Sequence, residues 1–110
     1  MDSSLAFTDF MENWRTLPFE PFRDGVDVHY IKQGAPALAI LRYAPGAKVP
    51  MHLHTGLEMI LVLDGVQSDE RGDYGKGALV LNPEGTTHSV WSKTGCAVLI
   101  QWERPVEILE

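Results

Sequence analysis

The chain has 110 residues, 45% hydrophobic and 22% charged, which suffices for one compact domain with its own core and excludes two. Its formal net charge is −6 and its pI about 5.1. The nine Lys and Arg residues are scattered, so no basic stripe is available for nucleic acid or for a membrane surface.

The chain opens on Met1-Asp2-Ser3-Ser4, acidic and polar and unlike a secretory signal. Met1–Arg15 reads either as a short helix, with Thr8 as N-cap and Phe10, Met11 and Trp14 as its apolar side, or as an irregular arm. Trp14, Leu17 and Phe19 then offer large apolar groups to pack on the body of the domain. Residues 1–24 are accordingly expected to be an arm lying on the barrel or on a partner subunit, and residues 25–110 the barrel itself. From Val26 onward, short strands alternate with turn signals. The runs are Val26–Lys32, Ala37–Tyr43 (ended by Pro45-Gly46), Lys48–His54 and Leu57–Leu63. Asp64-Gly65 reads as a tight hairpin before Val66–Asp69, and Arg71–Gly75 as loop. Gly77–Asn82, His88–Ser92 and Cys96–Glu103 complete the set, with Pro83-Glu84-Gly85 and Thr94-Gly95 between them. Eight or more strands with frequent Gly and Pro turns predict an all-β sandwich or barrel.

Leu57–Leu63 carries a sharper signal. Glu58, Ile60 and Val62 share one face and Leu57, Met59, Leu61 and Leu63 the other, so both faces are largely apolar. A strand buried on one face alternates apolar with polar. Something must therefore cover the second face: the opposite sheet, the amino-terminal arm or a second subunit. The two-sided strand points to a homodimer. Its apolar run Met59–Leu63 is far too short to cross a membrane. Cys96 is the single cysteine, so no intramolecular disulfide forms, and it reads as a small buried residue in a reducing, cytoplasmic setting.

Three of the four histidines, His52, His54 and His88, fall within 37 residues, with Glu58 among them. Positions two apart on a strand face the same way, so His52 and His54 converge. Thr55-Gly56-Leu57 can bend Glu58 beside them, and the Pro83-Glu84-Gly85 turn can return His88 to the same place. Imidazole and carboxylate suit divalent first-row metals. A carboxylate pointing the same way as Ile60 and Val62 is costly to bury unless a cation compensates it. His29 stands alone between Val28 and Tyr30 and reads as structural or exposed.

These residues resemble a known superfamily. Gly46, His52, His54, Glu58 and Gly65 stand at the spacings of the first cupin motif, and Gly77, Pro83, Gly85 and His88 at those of the second, with Ser92 where an Asn is usual. The resemblance covers Gly46–Ser92. Leu57–Gly65, Ser68-Asp69-Glu70, Gly72-Asp73-Tyr74 and Gly95-Cys96 resemble more narrowly the ChrR-type cupin domain. The implied fold is the cupin jelly roll, a double-stranded β-helix. The implied ligands of one divalent transition metal ion (Fe, Mn, Ni or Zn) are His52, His54, Glu58 and His88. Catalytic residues beyond the ligands are not identified, although Tyr43, Tyr74, Arg42 and Gln101 are polar groups available to line a pocket. The subgroup contains the zinc-binding carboxy-terminal half of an anti-sigma factor and small dioxygenases that cleave diketone-like substrates. Sigma binding there belongs to a separate amino-terminal domain whose His and Cys ligands have no counterpart here. Three readings follow: a metalloenzyme (a dioxygenase on a small dicarbonyl or enol with Fe, or an isomerase or lyase with Mn, Ni or Zn), a ligand-binding sensory or regulatory module, and a metal held for stability.

Overall fold

The computed structural model describes residues 4–109; Met1–Ser3, at the head of the expected helix, lie outside it. Ten antiparallel strands follow one short helix, α1 (Phe10–Asn13), and a 3₁₀ turn at Trp14–Thr16. The strands are β1 (Glu20–Arg23), β2 (Val26–Lys32), β3 (Ala37–Tyr43), β4 (Lys48–Leu53), β5 (Glu58–Asp69), β6 (Gly72–Gly75), β7 (Leu79–Asn82), β8 (Thr87–Trp91), β9 (Cys96–Trp102) and β10 (Glu107–Ile108). One sheet runs β1-β2-β3-β9-β5-β7 and the other β10-β4-β8-β5-β6. β5 belongs to both. Its first half pairs with β9 and β7, and its second half with β6 and β8. The all-β fold expected from the turn spacing is therefore present as a sheet curled around one interior.

Two turn assignments are corrected. Asp64-Gly65 is no hairpin: β5 runs through it, paired to Ala97 and Cys96, with a bulge between Val62 and Asp64. Gly65 has φ +73°, and a Cβ there would sit 2.2 Å from the Gly95 carbonyl oxygen. Leu63 is the extra residue of the bulge, and Gly65 beyond it supplies the left-handed backbone at which β5 passes from β9 to β6. The hairpin comes later, at Glu70-Arg71, and residues 72–75, expected to be loop, form β6 against Val66–Asp69. The strand expected over Gly77–Asn82 starts only at Leu79. Asp9, and not Thr8, is the N-cap of α1, without a side-chain capping bond.

The interior is built from alternate side chains. Val26, Val28, Leu41, Ile60, Val62, Val98 and Ile100 are all buried there. On the outside, Trp14 is buried with Ile40, Leu63 and Ala97, and Phe10, Leu17, Phe19 and Leu61 pack around them. The amino-terminal segment thus covers the second face of β5 at Leu61 and Leu63. Leu57, Leu79 and Leu81 stay exposed at 46, 60 and 53%. His29 is tied to the Pro18 carbonyl at 2.8 Å, fixing the end of that segment. No helix among the described residues is long and apolar enough to cross a membrane.

Candidate metal centre

Four side chains meet inside the barrel. His52 and His88 face each other as cross-strand partners on β4 and β8. His54 follows β4, held by its backbone N–H on the Thr86 carbonyl and by the Gly85 N–H on its own carbonyl, 2.9 and 2.8 Å. Glu58 opens β5. A bulge in β4 between Val49 and His52 makes this convergence work. It spends Pro50 and Met51 on the rim, so that Val49 and His52 are both buried although three residues apart. Pro50 has no N–H to lose in such a bulge, and its carbonyl oxygen accepts the His52 Nδ1 proton at 2.8 Å.

All four groups are at most 4% exposed, and one ligand atom from each lies within 4.8 Å of all the others. The imidazole centroids are 4.6–5.1 Å apart. Glu58 Oε1 is 3.1 Å from His54 Nε2 and 3.8 Å from His88 Nε2. Each histidine spends Nδ1 outward: His52 on Pro50, His54 on the Thr86 carbonyl and hydroxyl (2.9 and 3.0 Å), His88 on Asp69 Oδ2 (3.1 Å). A carbonyl or ionised carboxylate only accepts, so Nδ1 carries the proton and Nε2 a lone pair. Nε2 of His54 and of His88 are buried without a hydrogen-bond partner, and two such orphaned acceptors facing a carboxylate want a cation. Four donors around one ion at ~2.0–2.2 Å would lie at most about 4.4 Å apart, so the cluster fits an ion with a small contraction.

The charge states agree. Burial alone would raise the Glu58 carboxyl, but contact with His54 and the nearness of the His88 and His52 rings outweigh it and hold Glu58 below the usual carboxylate range. Burial pushes His52 down, toward the neutral form, against the opposing pull of the Pro50 carbonyl. A neutral imidazole and an ionised carboxylate are the forms that bind metal.

Outside the four lies a network that strand alternation did not reveal. Glu58 Oε1 accepts from Asn82 Nδ2 and Oε2 from Trp102 Nε1, both at 3.0 Å. Asn82 Oδ1 in turn accepts from Arg71 Nη2 at 2.8 Å. Asp69 takes the His88 proton and also accepts from the Arg71 backbone N–H (2.8 Å) and the Tyr74 hydroxyl (3.0 Å). Burial raises Asp69, yet these donors together hold it below its ordinary value. Counting by twos from Glu58 puts Ser68 and Glu70 on the site side; the bulge after Val62 shifts the parity, so that Gln67 lines the cavity and Asp69 reaches His88. Of the polar groups set aside for a pocket, Tyr43 lines the cavity and Tyr74 stands behind His88 through Asp69. Arg42 lies over Phe19 and bonds Asp27, and Gln101 does not line the cavity.

Beside the four groups is a cavity of about 60 Å³. Leu41, Val49, Ile60, Val90 and Ile100 form the aliphatic part of its wall, Tyr43 and Gln67 add polar groups, and Arg23 is its one charged lining residue apart from the cluster.

Comparison with known proteins follows the same lines. The model of the ChrR cupin-like domain matches residues 8–105. A curated relative, the anti-sigma-E factor ChrR of Cereibacter sphaeroides, is 33% identical over 96 residues, 84% of this chain and 43% of that protein. The chain therefore spans less than half of the relative's length. In the crystal structure of Rhodobacter sphaeroides SigE in complex with the anti-sigma ChrR, the match has a TM-score of 0.70 and 26% identity, covering 78% of this chain and 48% of that one. The acetylacetone dioxygenase of Acinetobacter johnsonii has the same fold, with a TM-score of 0.80, 13% identity, and coverage of 100% of this chain and 79% of that one.

Proposed function

The chain belongs to the family of ChrR cupin-like domains, and from that membership we propose that His52, His54, Glu58 and His88 hold one divalent transition metal ion at which a small dicarbonyl or enol is oxidised. The observation that carries the metal is the pair of buried, unpartnered Nε2 atoms aimed at an ionised carboxylate. When bound, the ion supplies Lewis acidity and coordination positions beyond the four protein donors. The chain's own part is to keep the imidazoles in one tautomer through Pro50, Thr86 and Asp69, and to exclude water with an apolar wall. The aliphatic part of the wall supports a small substrate with an apolar body, and the fold shared with an acetylacetone dioxygenase suggests which class to try first.

Metal analysis of untagged protein, then oxygen uptake with a panel of β-dicarbonyl compounds, tests this reading. Bound iron with uptake on at least one compound supports it; iron without turnover on any of them counts against the dioxygenase. His52→Ala and Glu58→Ala should each lower bound metal sharply, and stoichiometric metal surviving both would overturn the site.

A second reading has its own support in the 33% identity to an anti-sigma factor. Here the domain is a sensory or regulatory module, and the metal is structural. Zinc with no exchangeable water would favour it. The exposed strip of Leu57, Leu79 and Leu81 supports a homodimer in either case, which light scattering would read directly.

A further inference from the structure

A second, larger cavity abuts the metal centre. It is a groove of about 320 Å³ whose walls include Tyr30, Ala37 and Pro105 and no charged side chain. It shares Phe22, Trp102 and Val106 with the inner cavity. These three side chains are thus a partition between two chambers. Phe22 and Trp102 stack across it, ring centroids 6.1 Å apart and planes within 18°.

The two faces of the partition are anchored differently. Trp102 lies on β9, and its indole N–H is fixed at 3.0 Å on the buried carboxylate of Glu58. Phe22 lies on β1, a four-residue strand at the edge of the sheet, and is 40% exposed. It is also the extra residue of a bulge: Pro21 pairs with Asp27 and Arg23 with Val26, leaving Phe22 without a partner in the ladder. A bulge re-aims a side chain, and here it lays the ring over the mouth of the barrel. Phe22 is the side that can give way, while Trp102 holds still.

We infer that the groove is the binding site for the uncharged tail of the ligand whose oxygen-bearing head enters the metal chamber, and that Phe22 sets how long a tail is accepted. The inference rests on the dicarbonyl reading above. Its physical ground is size. The inner chamber, at about 60 Å³, is much smaller than the groove of about 320 Å³, so a longer substrate has its room across the partition. Among the spaces that share a lining residue with the chamber, this groove carries no charged side chain, whereas the one past Arg23 is also lined by Asp24 and Lys48, so an alkyl or aryl chain fits here and a charged one does not.

The test uses full-length protein loaded with Zn²⁺, so that binding is read without turnover. Acetylacetone and a homologue with one methyl extended to an n-pentyl chain are titrated by calorimetry into wild type, Phe22→Leu and Phe22→Ala. Phe22→Ala should tighten the long homologue by about tenfold or more and acetylacetone by less than about threefold, with Phe22→Leu between them. Equal changes for both ligands, or none, would overturn the partition while leaving the dicarbonyl reading intact. Failure of either ligand to bind any of the three metal-loaded proteins would overturn the ligand class and the inference with it. Phe22→Leu keeps a bulky apolar group on the edge strand, so it separates loss of the gate from loss of the fold.

Discussion

Glu58→Gln is the most searching perturbation of the centre, because it changes almost no volume. Arg71 and Trp102 can only donate hydrogen bonds. Arg71 Nη2 donates to Asn82 Oδ1, which turns Asn82 Nδ2 toward Glu58 Oε1, and Trp102 Nε1 reaches Glu58 Oε2 from the other side. Position 58 must therefore accept on both of its terminal atoms. A carboxylate does; a glutamine has one oxygen and one NH₂. Rotating Asn82 does not help, because its NH₂ would then meet the guanidinium. One buried donor is left facing another, at about 1–3 kcal/mol. In the metal-free protein that is a loss of about 4–8 °C in Tm per kcal/mol for a domain of roughly this size. Metal affinity should fall further than the ~10–100-fold typical of an outer-shell partner, because the one anionic group of the proposed ligand set is gone. Urea denaturation of metal-free protein and Zn²⁺ titration by calorimetry read the two effects separately. The pH profile adds a sign. Glu58 and His52 are both depressed in the fold. The unfolded chain therefore takes up their protons first as pH falls, and stability is lost below about 6.5 for the histidine and then through the carboxylate range. Glu58→Gln should flatten the lower part of that decline. A variant with unchanged metal-free stability and unchanged Zn²⁺ affinity would refute the donor-chain argument.

Three other outcomes are expected. Asp69→Ala removes the acceptor of the His88 Nδ1 proton and should weaken metal binding about 10–100-fold, whereas Arg15→Ala, which loses an exposed ion pair with Asp64 and a cation–π contact with Trp14 on the outside of the barrel, should leave Zn²⁺ affinity unchanged; equal behaviour of the two would count against Asp69 as a positioning residue. Trp14→Ala empties the cluster over Ile40, Leu63 and Ala97 and should cost about 3–5 kcal/mol in urea denaturation, with the metal affinity of the folded fraction intact; a loss under about 1 kcal/mol would show that the amino-terminal segment is not part of the core. Burial pushes the Cys96 thiol up to about 11, partly offset by Ser92, so only about one thiol in a thousand is ionised at pH 8. A disulfide reagent should label it far more slowly in native than in denatured protein. The unfolded chain also releases this proton earlier, so stability should decline as pH rises from about 9 toward 11.

The primary structure alone determined the strand-and-turn rhythm, the all-β class and the identity of the four convergent groups. These are local or short-period properties: β-branched runs, Gly and Pro turns, and two histidines two residues apart beside a carboxylate on an apolar strand. It also required a cover for the outer face of β5, without choosing among candidates. Tertiary structure chose Trp14 and its neighbours for Leu61 and Leu63, and left the Leu57, Leu79 and Leu81 strip open. It also decided whatever depends on register. Each bulge adds one residue to one strand and reverses which side chains face inward. For that reason Asp64-Gly65 reads as a hairpin in isolation but bends a continuous strand in the fold. For the same reason Asp69 replaces its neighbours behind His88, and Phe22 comes to lie over the barrel mouth. Asn82, Thr86 and Trp102 carry no spacing signal because their partners are 24, 32 and 44 residues away. Only the closing of the sheet brings those donors and acceptors together, and buried polar groups then bond to whatever the fold has placed within reach.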